Sequence, residues 1–199
     1  MKKSTFSIKA IALFLFIAST SAITSVSAQA GHSRELQAKI DSMSLVLKKY
    51  AAGEATLKKN LVTFDTLDYT VFTNQQWVRL HESHSKDIKV NWPDGHFTTG
   101  IEKHISDLSA MFVYAPDTRI KVHPICFGNN TGEWTCVTGI MEGTFSKPMP
   151  IGNGQFIQPT GKSFKLPMCT IGHWKNGIMF EESLFWDNQT YMTQLGLGK

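Results

Sequence analysis

Cysteine is scarce in this sequence: Cys126, Cys136 and Cys169 are the only three among 199 residues. No C-x-x-C or H-x-x-x-H spacing occurs, so a disulfide-dense scaffold and the local zinc signatures are both excluded, and no metal or cofactor is expected. Cys126 and Cys136 flank the turn-like Gly128-Asn129-Asn130-Thr131-Gly132, which leaves a cross-strand bridge open beside the simpler reading of three small buried hydrophobes. Charge clusters are also lacking. The formal net charge is +4, but Lys2, Lys3 and Lys9 fall within the first thirty residues, where no Asp or Glu occurs. Setting them aside leaves 17 of the 20 Lys and Arg against 16 Asp and Glu. Without a basic patch to neutralise phosphates, nucleic acid is excluded as a partner. There is no repeat or low-complexity tract, and 42% hydrophobic residues supply the core of a single globular domain.

The N-terminal apolar run is short. Ala10 to Ala18 fall well below the roughly 20 residues needed to cross a bilayer. Preceded by Lys2 and Lys3 and followed by small residues ending in Ala28-Gln29-Ala30, they read as a secretory signal over residues 1–30, cleaved after Ala30. No Cys stands near that point to carry a lipid anchor. The expectation is a periplasmic or secreted chain that starts at Gly31 and makes no membrane contact once the signal is removed.

What is present falls into helices first and strands afterwards. Leu36, Ile40, Met43, Leu47 and Tyr50 recur at helical spacing behind Ser33 as N-cap, which predicts an amphipathic helix over 33–50. Gly53 is expected to interrupt it before a second helical pattern through Leu57, Leu61, Phe64 and Leu67. Trp77, Leu80 and His84 share a face over 74–84. The period then changes: 87–92 suits a short strand, turned back at Pro93-Asp94-Gly95 into 96–99. Gly100 opens a helix with Ile101, Ile105, Leu108 and Phe112 on one face, ended by Pro116. From Thr118 the pattern predicts antiparallel strands over 118–127, 133–145, 162–175 and 178–187, with a Pro- and Gly-rich loop over 147–161. Asn176-Gly177 is the clearest hairpin signal. This order predicts an α+β domain with helices packed on one face of a curved sheet.

Several stretches together resemble a known family. Asp87-Ile88-Lys89-Val90-Asn91-Trp92-Pro93-Asp94-Gly95 with Gly100-Ile101-Glu102, then Pro116-Asp117-Thr118-Arg119, Gly143-Thr144-Phe145, Thr160-Gly161-Lys162, Asn176-Gly177 with Glu181-Glu182, and Gln194-Leu195-Gly196-Leu197 follow in the order found in SnoaL-like polyketide cyclase domains of the nuclear-transport-factor-2-like superfamily. The likeness runs from Leu57 to Leu197. It assigns 57–199 to the domain and leaves 31–56 as an N-terminal helical extension. It implies a cone-shaped barrel in which a strongly curved mixed or antiparallel sheet wraps three helices around an apolar cavity, and a superfamily habit of dimerising through the outer sheet face.

The resemblance also implies a catalytic arrangement: an acid on the last strand that moves protons to and from carbon, with a helper across the final hairpin. Residue by residue the acid position falls on Leu184 and the helper on Thr170, so the family acid is replaced by an aliphatic side chain. With Asn176 and Gly177 as the loop, Thr170 is expected to face Ser183 and Cys169 to face Leu184. Along the last strand Met179, Glu181, Ser183, Phe185 and Asp187 share one face, and Ile178, Phe180, Glu182, Leu184 and Trp186 the other. Glu181 and Asp187 are the candidate catalytic carboxylates. Asn91, Trp92, His104, Trp134, Thr170, Ser183 and Leu184 are the candidate ligand-binding residues. Three functions stay open: an exported domain that binds a small apolar or aromatic molecule, a cofactor-free cyclase, isomerase or hydrolase acting on a small carbonyl compound, and a homodimerising interaction domain.

Overall fold

The computed structural model describes residues 8–198, with side chains from residue 29 onward. Lys2 and Lys3 of the expected signal lie outside the described residues. The chain divides into two compact units, residues 1–49 and residues 50–199. Helix α1 runs without a break from Ile8 to Thr66. The expected interruption at Gly53 is therefore corrected. A Cβ there would lie 1.8 Å from the carbonyl oxygen of Asn130, so the glycine admits the 129–132 turn against the helix instead of ending it. Asn60, about two turns further along the same face, donates from Nδ2 to the Gly132 carbonyl at 2.9 Å. In the first unit Leu36, Ile40, Met43 and Leu47 are exposed.

In the second unit α1 passes into a π-helical segment, Leu67–Phe72, in which the Thr73 N–H reaches back five residues to the Asp68 carbonyl. A 3₁₀ helix follows over Trp77–Glu82, where a longer helix to His84 was expected. His84 instead opens strand β1, His84–Asn91. Strand β2 (Phe97–Thr99) and helix α2 (Ile101–Tyr114) come next. The predicted strand 118–127 is split into β3 (Arg119–Ile120) and β4 (Ile125–Gly128), with Pro124 between them. Strand β5 spans Trp134–Thr144, and the loop after it holds a small hairpin, β6 (Met149–Pro150) with β7 (Phe156–Ile157). The long strands β8 (Ser163–Lys175) and β9 (Ile178–Trp186) precede helix α3, Asn188–Leu195.

The fold is α+β with a curved, open, mixed sheet. Its order is β2-β1-β9-β8-β5-β3, with β4 also on β5; β1 runs parallel to β9 and the other neighbours are antiparallel. Residues alternate in and out along β5 and β8, so Val137, Met141, Phe164, Leu166 and Trp174 meet Phe64, Leu67, Phe72, Leu108 and Phe112 from the helices in one core.

The final hairpin departs from the simple count. Trp174 pairs with Met179 as a two-residue turn requires, but His173 pairs with Glu181, so Phe180 is an extra, bulged residue. Beyond it Thr170 faces Leu184 and Cys169 faces Phe185, which corrects the expected register by one residue. Met179 consequently turns inward, fully buried, with Glu182 and Leu184. The bridge between Cys126 and Cys136 that the sequence left open is absent. Cys126 pairs with Val137 and Cys136 with Phe127, which puts the two thiols on opposite faces of the sheet, and all three cysteines are free.

Candidate functional site

Under the sheet lies an internal cavity of about 40 Å³, walled by Leu67, Phe72, Leu108, Met141, Leu184 and other apolar side chains. Into this apolar space project Asp68, His84, His104, Thr170 and Glu182. Each is delivered by a different element. Asp68 sits in the π-helical segment, a backbone irregularity that re-aims side chains and recurs at functional sites. His84 is the first residue of β1, and His104 falls on the buried stripe of α2 with Leu108 and Phe112. Thr170 comes from β8, and Glu182 enters from β9.

Glu182 Oε2 lies 3.2 Å from His104 Nε2 and 3.7 Å from His84 Nε2, with all three side chains buried. Burial opposes the charge of Glu182, but the imidazoles of His104 and His84 outweigh that cost and hold its carboxyl below the usual carboxylate range. Ser83 Oγ meets His84 Nδ1 at 2.8 Å and fixes the ring. Asp68 is the counterpart. Its Oδ2 meets His123 Nε2 at 2.8 Å, and His123 Nδ1 meets Asp65 at 2.7 Å. Burial pushes the Asp68 carboxyl up, against the pull of the His123 hydrogen bond. One cavity thus holds two carboxyls shifted in opposite directions, the pattern that lets a single site supply both an acid and a base.

A family model for SnoaL-like polyketide cyclases matches residues 65–195, which include every one of these side chains. The chain belongs to the SnoaL-like polyketide cyclase family. The SnoaL-like domain is similar in fold to a candidate SnoaL-like polyketide cyclase from Jannaschia sp. CCS1, with 18% identity, a TM-score of 0.61, and coverage of 71% of this chain and 94% of that one. IdmH, a candidate polyketide cyclase from Streptomyces antibioticus, is 20% identical, with a TM-score of 0.55 over 69% of this chain and 98% of its own. A protein of ketosteroid isomerase-like fold from Catenulispora acidiphila, solved with trimethylamine, is 13% identical, with a TM-score of 0.51 over 64% of this chain and 87% of its own. No curated protein matches the sequence.

The SnoaL-like cavity contains some of the residues proposed from sequence and excludes others. Leu184 and Thr170 face each other inside it, and His104 lines it. Trp92 lies beside it, with its ring centroid 6.0 Å from that of His104 and its indole donating to Thr98 Oγ1. Glu181 and Asp187 are corrected. Glu181 is on the outer face, where Lys89 at 3.0 Å and Asn91 hold its carboxyl below its usual range. Asp187 caps α3: it accepts from the Gln189 and Thr190 N–H groups and the Thr190 hydroxyl, which lowers its pKa. Asn91 and Ser183 bond each other at 3.0 Å on that same outer side. Trp134 stacks on His173 at 3.8 Å and is 41% exposed.

Sequence reasoning missed Asp68, His84 and Glu182. Glu182 had a signal, as a lone carboxylate on the apolar side of the last strand. His104 lies four residues before Leu108 and eight before Phe112, a buried-stripe position. His84 was hidden by its assignment to a helix, and Asp68 by the π-helical offset. The arrangement also meets the requirements of a cation site: one ligand atom each from His84, His104 and Glu182 lie within 4.8 Å of one another. No local motif could report this, because the three come from β1, α2 and β9.

Proposed function

We propose that this SnoaL-like domain binds a small carbonyl compound in the buried cavity and transfers protons at the carbon next to the carbonyl, with Asp68 as the proton carrier. The observation that carries the reading is a pair of carboxyls, the half-buried Asp68 and the buried Glu182, lining one cavity whose walls are mostly apolar. An apolar wall disfavours the ionised acid and so brings a carboxyl toward the range useful for proton transfer. Asp65 and His123 brace Asp68 from behind, while the unpartnered Nδ1 of His104 offers a polar edge to a ligand oxygen. An aliphatic Leu184 at the family acid position moves the proton carrier from the last strand to the end of α1.

Size supports a small substrate. At roughly 10–15 Å³ for each water, a 40 Å³ space holds about three solvent molecules. Anything larger requires the flexible side chains of Met111, Met141 and Met168 to give way. The test is α-proton exchange of small β-keto esters and cyclic enones in D₂O, followed by NMR. The wild type accelerates exchange, and Asp68→Asn lowers the rate about 10²- to 10⁴-fold, the usual contribution of a positioned acid–base group. Equal exchange in the two proteins rejects the role of Asp68. Asp187→Asn leaves the rate unchanged, because its carboxylate is committed to the α3 cap.

Two further features accompany this reading: export, with a mature chain beginning at Gly31, and homodimerisation through the outer sheet face. The second is supported by exposed Ile125, Phe127 and Phe185 on that face.

A further inference from the structure

We propose that His84, His104 and Glu182 form a binding site for one divalent transition-metal ion, with zinc or a late first-row neighbour as the fitting class. The inference goes beyond the proton-transfer reading and does not depend on turnover. It begins with an unsolved local problem. Ser83 Oγ lies 3.2 Å from the Leu80 carbonyl oxygen and 2.8 Å from His84 Nδ1, so His84 is held at Nδ1 while Nε2 is left for another partner. His84 Nε2 points at a Glu182 carboxylate oxygen 3.7 Å away, beyond hydrogen-bond reach. His84 Nε2 and Glu182 Oε2 are both buried without a hydrogen-bond partner. A cation between them resolves both deficits at once.

The spacing agrees. Metal–nitrogen bonds of about 2.0–2.1 Å and metal–oxygen bonds of about 2.0–2.2 Å place neighbouring donors about 3.0–3.5 Å apart in octahedral or tetrahedral coordination. The observed separations from Glu182 Oε2 are 3.2 Å to His104 Nε2 and 3.7 Å to His84 Nε2. Two imidazoles and one carboxylate suit zinc, iron, cobalt or nickel and argue against magnesium and calcium, which prefer oxygen alone. The ligands stand on two strands and a helix, so the site is rigid before the ion arrives, and Ser83 supplies the outer hydrogen bond that orients a metal-bound histidine. Three protein ligands beside a cavity leave coordination positions for water or a ligand oxygen.

The experiment uses the full chain, freed of metal with a chelator, then titrated with CoCl₂ and with ZnCl₂. The expected result is one equivalent of Co²⁺ giving the visible d–d bands of a protein-bound ion, displaced by one equivalent of Zn²⁺, with a melting temperature that rises with Zn²⁺ concentration. Loss of an outer-shell partner weakens metal sites 10- to 100-fold, so loss of a ligand in His104→Ala or Glu182→Gln is expected to weaken binding at least about 100-fold. His96→Ala serves as a control that keeps wild-type affinity. Circular dichroism establishes that each variant is folded. Absence of cobalt bands in the folded wild type overturns the proposal without reference to any variant, as does retention of full affinity in both folded ligand variants. Exchange of α-protons by the chelated protein separates the two readings: catalysis without cobalt bands removes the metal alone, and cobalt binding without catalysis removes the proton-transfer role alone.

Discussion

At the scale of single residues, the site is set by which polar groups an apolar chamber tolerates. His123 shows the balance outside the cavity wall. Burial alone would lower its pKa, but hydrogen bonds and charges from Asp68 and Asp65 outweigh that and raise it above its ordinary value. Tyr69 packs against the same ring at 4.5 Å. Because the folded value exceeds the ordinary one of about 6.5, the contribution of the Asp65–His123–Asp68 group to stability is complete below about pH 6.5 and is lost as pH rises through the folded value. The upward displacement of Asp68 by burial acts in the same direction. We expect the His123 imidazole resonances to titrate above the ordinary histidine range in an NMR series, and urea midpoints to decline with rising pH less steeply in His123→Gln. A titration at or below the ordinary histidine value would refute the assignment. The candidates Glu181 and Asp187 were plausible from the last strand alone. Their actual roles, an ion pair and a helix cap, depend on Lys89 from another strand and on a helix that the sequence pattern did not reveal.

At the scale of elements, small backbone departures decide where side chains point. The bulge at Phe180 is the clearest case. Asn176-Gly177 correctly marked the turn, but a turn fixes register only as far as the first irregularity, and one extra residue reassigns the pairing beyond it. The π-helical segment acts similarly at the end of α1, where a residue offset from the 3.6 repeat carries Asp68 into the cavity. Gly53 makes the converse point. A glycine in a helical pattern was expected to break the helix, whereas its missing side chain serves a close approach that appears only after the 129–132 turn has folded onto it. We expect Gly53→Ala to destabilise the second unit by about 1–3 kcal/mol or more, as overpacking against backbone does. Calorimetric unfolding measures this, and a neutral or stabilising effect would show that the turn has another resting place.

At the scale of the whole molecule, two expectations concern the environment of the chain and its copies. If export follows the N-terminal signal, intact-mass measurement on protein from the periplasm or medium finds Gly31 as the first residue; retention of Lys2 and Lys3 there excludes cleavage. If the outer sheet face is a dimer interface, the wild type sediments as a dimer at micromolar concentration, and Phe127→Glu with Phe185→Glu sediments as a monomer. A monomeric wild type removes that role for the face. The broad α+β class, the strand order in the chain and the SnoaL-like assignment were legible in the sequence, because periodicity, turn residues and short motifs are local properties that survive without knowledge of distant contacts. Leu184 and Thr170 were placed by the family resemblance alone, since the hairpin count set Thr170 opposite Ser183 and missed their pairing. The convergence of Asp68, His84, His104 and Glu182 was decided only by the tertiary structure. These residues are separated along the chain by other elements, and their meeting depends on a parallel β1–β9 pairing, a bulge and a π-helical offset. Each of those is set by the free energy of the assembled core, which no local stretch of sequence expresses.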